Sequence, residues 1–252
     1  MNDPVKTVTF PQQRPFDRLR AKLRFVWVVV VFFLISPPLF VAFWAVLPFS
    51  VEWSYWNCAV MAMRGYMWAA GGKGKAIGLD NIPKDRAFVF VCNHISHFDI
   101  CAAMSRLGLR LYFVAKKEIV KIPFLGWCLV PLDMFLIDRS STEAAYRSVQ
   151  AAATSLRESR RNVFMYPEGG ISRTGKLQPF KKGAFTMAIE AGVPIVPVIV
   201  RRTNAVFSAL TMEARPGTYE IEVLAPIETE GYTLESREKL METVREAMDA
   251  AV

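Results

Sequence analysis

The chain is poor in the residues that build metal and disulfide sites. Its 252 residues include two histidines and four cysteines, and Cys58, Cys92, Cys101 and Cys128 are scattered singly through apolar stretches. The paired spacings of a zinc ribbon or a small disulfide scaffold are missing, so these thiols read as reduced, buried small hydrophobes of a protein facing the cytosol. Internal repeats, low-complexity tracts and interdomain linkers are lacking too. That leaves one α/β domain of ordinary size with an N-terminal appendage. Charge is missing over one long interval, from Phe25 to Val51, although charged residues make up 21% of the chain and hydrophobic ones 52%. A net charge of +8 suits nucleic acid or anionic lipid; no nucleic-acid motif accompanies it, and the apolar run decides for lipid.

That run exceeds the roughly 20 residues needed to cross a bilayer. It is too long for the apolar region of a signal peptide and ends without a small-x-small cleavage site, so it is expected to stay on the mature protein. Arg14, Arg18, Arg20, Lys22 and Arg24 precede it and favour a cytoplasmic N-terminus. Pro37-Pro38 in its middle is expected to break the helix into two arms, each too short to span. The reading is a hairpin that enters and leaves one leaflet, with a proline-kinked spanning helix as the alternative and a soluble core helix as a third. Trp53, Tyr55, Trp56, Met61, Met63, Met67 and Trp68 around a lone Arg64 suggest an interfacial helix next. The expected organisation is a basic cytoplasmic N-terminus at 1–24, a membrane-embedded hairpin and interfacial helix at 25–70, and a catalytic domain at 71–252, with Gly71-Gly72-Lys73-Gly74 closing the membrane-proximal part.

Beyond that point short apolar runs alternate with longer helical patterns, as in an α/β domain. Strands are expected at Phe88–Val91, Leu111–Val114, Met134–Ile137, Val163–Tyr166, Ile195–Val200 and Tyr219–Leu224. Thr142–Glu158 places Ala145, Val149, Ala152 and Leu156 on one helical face, and Leu240, Met241, Val244 and Met248 define another near the C-terminus.

Both histidines lie in Cys92-Asn93-His94-Ile95-Ser96-His97-Phe98-Asp99, directly after a strand, where α/β folds place their sites. Residues 94 and 99 would point about 140° apart on a continuous helix. They can meet if His94 lies in a turn and the helix begins near Ser96, and Ser96-His97-Phe98-Asp99 has the Ser-x-x-acid pattern of such a start. Asp99 reads equally as a capping-box acid, and the two roles are compatible. His97 is assigned no catalytic role. His94, His97 and Asp99 would make only a partial metal site, with no further Cys or His at hand.

Asn93-His94 followed by four residues and Asp99 resembles the His-x4-Asp signature of the glycerolipid acyltransferases, the family that includes 1-acylglycerol-3-phosphate acyltransferase. Ala115-Lys116-Lys117-Glu118 with Ile122-Pro123-Phe124-Leu125-Gly126-Trp127 resembles the stretch between that family's first two motifs. Phe135-Leu136-Ile137-Asp138-Arg139 resembles the second motif. Tyr166-Pro167-Glu168-Gly169, with Gly175 and Pro179-Phe180-Lys181-Lys182-Gly183-Ala184, resembles the third, and Val193-Pro194-Ile195-Val196-Pro197-Val198 the fourth. The likeness covers about residues 75–225 in the right order and implies a central mixed sheet flanked by helices.

The resemblance also implies a reaction without a protein nucleophile. His94 would be general base on the hydroxyl of a lysophospholipid, commonly 1-acylglycerol-3-phosphate giving phosphatidic acid, and Asp99 would orient the imidazole. The alkoxide would attack the thioester of acyl-CoA or acyl carrier protein, with no metal or redox cofactor. Cys92 as an acylated nucleophile is the less favoured course. Cations for a phosphate head group are expected from Lys116 and Arg139, each of which reads also as a solvated charge. Glu168-Gly169 is read as part of the site, the acid holding a basic residue or a glycerol hydroxyl. Two departures from the family pattern bear on the acceptor. Glu168-Gly169-Gly170-Ile171 stands where Glu-Gly-Thr-Arg is usual, and Asp133 stands for a glycine. Arg173 or Lys181 is expected to replace the missing arginine, or the acceptor is another lyso-lipid such as a lyso-aminolipid. A lipid-binding membrane protein without activity is the reading from another class.

Overall fold

The computed structural model describes residues 15–121, 125–159 and 161–252; Arg14 and the expected motif residues Ile122, Pro123 and Phe124 lie outside these. Helix α1 (Pro15–Val46) opens the chain and does not break at Pro37-Pro38. The two prolines delete backbone donors, but both sides of the pair are held: Ser36 Oγ and Tyr66 Oη lie 2.6 Å apart, and Ile35 and Leu39 pack on the core. The reversal comes instead after Val46. Ser50 caps α2 (Val51–Ser54) by accepting from the Trp53 N–H, and a π-helical turn (Tyr55–Val60) leads into α3 (Met61–Ala70). The stretch expected to lie in an interface is thus largely packed: Tyr55, Cys58, Val60 and Met67 are buried, while Trp53, Met61 and Trp68 are exposed. Arg18, Arg20, Lys22 and Arg24 belong to α1 itself rather than to a separate tail.

Gly71 ends α3 at φ 77°, and the chain enters β1 (Gly72–Ile77) at once. Of the glycines read as a boundary, Gly71 closes the helix and Gly72 and Gly74 are strand. Gly-Lys-Gly-Lys has little strand propensity; its conformation is set by parallel pairing with β9 (Gly217–Val223). A Cβ on Gly74 would come within 2.2 Å of the Tyr219 ring, so the buried tyrosine requires a residue without a side chain there.

The central sheet has five strands in the order β1-β9-β6-β2-β5, with β2 (Phe88–Cys92), β5 (Asn162–Met165) and β6 (Ile195–Arg201) parallel to one another and β9 antiparallel to β6. It is the mixed sheet the motifs imply. The strand expected at Leu111–Val114 lies later, as β3 (Val114–Lys116), and pairs in parallel with β4 (Phe135–Ile137); of the expected residues before Val114, Phe113 makes a single bridge to Phe164 of the main sheet. The step from Asp133 into β4 is made at φ 56°, which explains why glycine is the usual residue; aspartate is among the few others that adopt the left-handed region.

Side-chain alternation divides the core. Phe88, Phe90 and Cys92 of β2 join α1, α3 and α4 (Asp99–Arg106) on one face. Val89 and Val91 join α6 (Thr142–Glu158), α7 (Gly183–Ala191) and α9 (Arg237–Asp249) on the other. Ala145 is partly buried and Val149, Ala152 and Leu156 are buried, as the spacing in α6 foretold. Short elements complete the chain: α5 (Leu125–Leu129), α8 (Thr203–Val206), and a hairpin of β7 (Phe207–Ser208) and β8 (Glu213–Ala214). Helix α1 packs on both α3 and β8.

Candidate functional site

The carboxyl ends of β2, β5 and β6 converge on one place, and each contributes to it. His94 follows β2, Tyr166 and Glu168 follow β5, and Thr203 follows β6. Helix α4 begins at Asp99, three residues later than the expected start at Ser96. The reason lies in the turn. Asp99 Oδ2 accepts from the backbone N–H groups of Ile95 at 2.7 Å and Ser96 at 2.9 Å, drawing the chain back over the helix end. Only half of a capping box forms: the Ser96 hydroxyl accepts from the Phe98 N–H at 3.1 Å rather than from that of Asp99, and donates to the Phe207 carbonyl at 2.8 Å.

The same Oδ2 lies 2.8 Å from His94 Nδ1, and Oδ1 accepts from the Thr203 hydroxyl. Asp99 is fully buried. With four donors converging on it, the carboxyl is an acceptor throughout, so Nδ1 of His94 bears the proton toward it and Nε2 is left as the free lone pair. The imidazole is further fixed by stacking on the Tyr166 ring, with centroids 4.0 Å apart and planes at 19°. The Tyr166 hydroxyl is buried, without a hydrogen-bond partner among the described residues, and burial pushes its pKa well up.

Glu168 carries a task that its sequence does not show. Oε1 accepts from the His94 backbone N–H at 3.0 Å and Oε2 from the Gln178 N–H at 3.0 Å. It is buried; desolvation raises its pKa, opposed by those two amides. The carboxylate thus ties the histidine turn to the 171–178 loop, and the Ser172 N–H donating to the His94 carbonyl at 2.7 Å makes a second tie. Asn93 completes the mount, its amide donating to Val200 O at 2.9 Å and accepting from Val200 N at 2.7 Å.

Cys92 is buried at the end of β2, and desolvation, with the charges of Asp99 and Glu168 adding to it, raises its thiol well above the usual range. A group so far from ionising is a poor nucleophile.

The expected cations separate into two groups. Arg173 lines a cleft of 240 Å³ together with Ile95, Ser96, His97, Ile171 and Leu210, beside the His94 turn. Lys181 lies over Gly169, whose φ is 72° and whose missing Cβ would come within 2.6 Å of the lysine Nζ. Lys182 is drawn off to Glu238 at 2.8 Å. Lys116 and Arg139 stand at the ends of the small β3–β4 pair, Lys116 3.7 Å from Glu118 and Arg139 exposed. His97 faces solvent in the cleft and is not part of the Asp99 cluster. Thr203 and Phe207 were invisible to motif reading, because their place at Asp99 and Ser96 depends on the crossing from β6. Tyr166 had one signal, its position at a strand end.

Residues 74–201 match the family model described as Acyltransferase. A Schizosaccharomyces pombe protein named an uncharacterized acyltransferase is 35% identical over 67% of this chain and 61% of its own. The 1-acyl-sn-glycerol-3-phosphate acyltransferase of Saccharomyces cerevisiae is 31% identical over 69% of this chain and 58% of its own. That of Limnanthes douglasii is 31% identical over 77% and 71%. The chain therefore spans about three fifths of the length of the first two. Among solved structures, the 1-acyl-sn-glycerophosphate acyltransferase PlsC of Thermotoga maritima matches with a TM-score of 0.74 and 26% identity, covering 95% of this chain and 96% of that one.

The double use of Glu168 generates a prediction. In Glu168→Gln one oxygen becomes an NH2 that must face a backbone N–H donor. Stability should fall by about 1–3 kcal/mol, the penalty of an unsatisfied buried group. An unchanged denaturation midpoint in guanidinium would contradict the role assigned to this carboxylate.

Proposed function

The chain belongs to the acyltransferase family, and from that premise we propose that it is a lysophospholipid acyltransferase that moves an acyl group from acyl-CoA or acyl carrier protein onto a free hydroxyl, with 1-acylglycerol-3-phosphate as the leading acceptor and phosphatidic acid as product. One observation carries the reading: the 2.8 Å contact of His94 Nδ1 with an Asp99 carboxyl saturated by donors. Such a carboxyl holds the imidazole in one tautomer and stabilises the imidazolium once it forms.

In the proposed reaction Nε2 takes the proton of the acceptor hydroxyl as its oxygen attacks the thioester carbonyl carbon. The tetrahedral adduct collapses, the C–S bond breaks, and the departing thiolate recovers the proton from Nε2. Atoms and charges balance without a protein nucleophile. The chemistry assigns no step to a metal.

For the acceptor phosphate, Arg173 is the favoured cation because it lines the cleft beside the histidine turn and Lys181 does not. Lys116 and Arg139 remain proposed contacts for more distant parts of the substrates. A lyso-aminolipid acceptor is the second reading, favoured by the apolar Ile171 in the same cleft.

Helix α1 supports attachment to lipid. Leu19, Leu23, Val26, Val30, Phe33, Val41 and Trp44 follow one another at helical spacing and are all exposed, whereas Ala21, Val28, Val31 and Phe43 are buried. A helix at a water surface keeps its outer face polar; this one needs a second apolar surrounding. It is also held lengthwise, by Phe25 against Phe207 near its start and by Ser54 against the Phe43 carbonyl near its end. Spanning a bilayer would immerse the domain with it. We therefore favour a hairpin turning after Val46, lying in the cytoplasmic leaflet with the catalytic domain in the cytoplasm.

Three outcomes test these proposals. His94→Ala is expected to slow acyl transfer at least ~100-fold, the scale of a lost general base, with Asp99→Asn also impaired and His97→Ala milder; near-normal turnover of His94→Ala in an acyl-CoA assay would refute the mechanism. Arg173→Ala should lower activity on 1-acylglycerol-3-phosphate by roughly 10-fold or more, since a charged hydrogen bond contributes about 1.5–3 kcal/mol, and Ile171→Arg should change it little. If instead Ile171→Arg raises that activity while Arg173→Ala leaves it alone, the acceptor has another head group. Finally, a cysteine placed at the exposed Lys176 should resist an impermeant thiol reagent in intact cells; labelling there would overturn the cytoplasmic orientation.

A further inference from the structure

Four residues, Ala209-Leu210-Thr211-Met212, turn the chain between β7 and β8. A turn in water favours Gly, Asn or Asp, particularly where φ is positive. This one carries Leu210, 66% exposed, and Met212, 58% exposed, with Met212 at φ 51°. A methionine in the left-handed region is out of place unless its side chain is wanted there.

The turn is not a loose appendage. Its first strand begins at Phe207, whose ring stacks on Phe25 of α1 at 5.3 Å and 19° and on Phe98 of the catalytic turn at 4.0 Å and 14°. The Phe207 carbonyl accepts from Ser96, and β8 packs on α1. Three stacked rings thus fix the hairpin both to the helix with the exposed apolar stripe and to the residues that hold His94. Leu210 lines the cleft that contains Arg173, Ile171 and His97. Arg18, Arg20 and Lys22 on the adjoining start of α1 are exposed and suit a negatively charged surface.

We propose that the β7–β8 turn is a second lipid contact, in which Leu210 and Met212 enter the same leaflet as α1 and form the lip over which a lyso-lipid passes from the bilayer into the cleft. The proposal rests on the acyltransferase reading and adds to it a defined edge of the cleft that touches the membrane. The acyl chain of the acceptor stays in apolar surroundings during the transfer, and only its head group crosses to Arg173.

The test uses the full chain with vesicles of phosphatidylcholine and phosphatidylglycerol. In a Cys128→Ser background, where the other three cysteines are buried, Leu210→Cys is given a nitroxide label, with labels at Leu23→Cys on α1 and Glu246→Cys on α9 for comparison. Vesicles should protect the labels at 210 and 23 from a water-borne nickel chelate and leave that at 246 unchanged. Protection at 23 without protection at 210 would overturn the proposal while leaving membrane attachment intact. Activity supplies the second arm. Met212→Asp should lower turnover of a long-chain acceptor in vesicles about 10-fold and leave that of a short-chain acceptor dissolved below its micelle concentration unchanged. Equal effects on both acceptors, or none on either, would overturn it. Absence of turnover by the parent protein on any lyso-lipid would instead reject the acyltransferase reading, on which the label data do not depend.

Discussion

Burying a carboxyl group is costly unless hydrogen bonds replace its water. Asp99 is fully buried, and its compensation organises the site: two backbone amides from the turn before it, the imidazole of His94 and the hydroxyl of Thr203. To bring those donors together the chain must leave β2, fold back over the end of α4, and meet the segment that follows β6. A single desolvated group therefore sets the shape of the His94 turn, the start of α4 and the tautomer of the histidine. The capping role and the proposed catalytic role of Asp99 draw on one carboxylate oxygen, which meets the Ile95 and Ser96 amides and the His94 ring together.

Around this centre the structure spends polar groups on geometry. Glu168 and Asn93 are buried, and their side chains bond to backbone, one to His94 and Gln178 and the other to Val200. Each holds a loop at the carboxyl end of a different strand, which is how an open α/β sheet assembles a site from distant segments. Groups that contact substrate in the proposed reaction are few by comparison, Nε2 of His94 and the Arg173 guanidinium being the principal two.

The N-terminal helix obeys the opposite economy. One stripe of α1 packs on α3, β8 and the core, and another apolar stripe is exposed among the described residues. Water favours the first and penalises the second. Because α1, Phe207 and Phe98 are joined by stacked rings, the exposed apolar stripe is mechanically continuous with the turn that holds His94.

Much of this was legible from residue order. Period-two and helical patterns located the main strands and the faces of α6 and α9, because burial on a sheet or a helix face is a local, periodic constraint. The spacing of His94 and Asp99 pointed to their meeting across a turn, since a helix would have held them apart. The length of the apolar run in α1 announced a long apolar helix. Tertiary structure decided the rest. Clamping by Tyr66 and the core carries α1 through two prolines that local propensity would have used to end it. Pairing with β9 makes a strand of Gly72–Ile77, a segment without strand character of its own. Glu168 became a tie between loops, Thr203 a donor to Asp99, and Arg173 rather than Lys181 a wall of the cleft. Each of these depends on which segments cross at the end of the sheet, and a long-range crossing leaves no period or spacing in the chain that makes it.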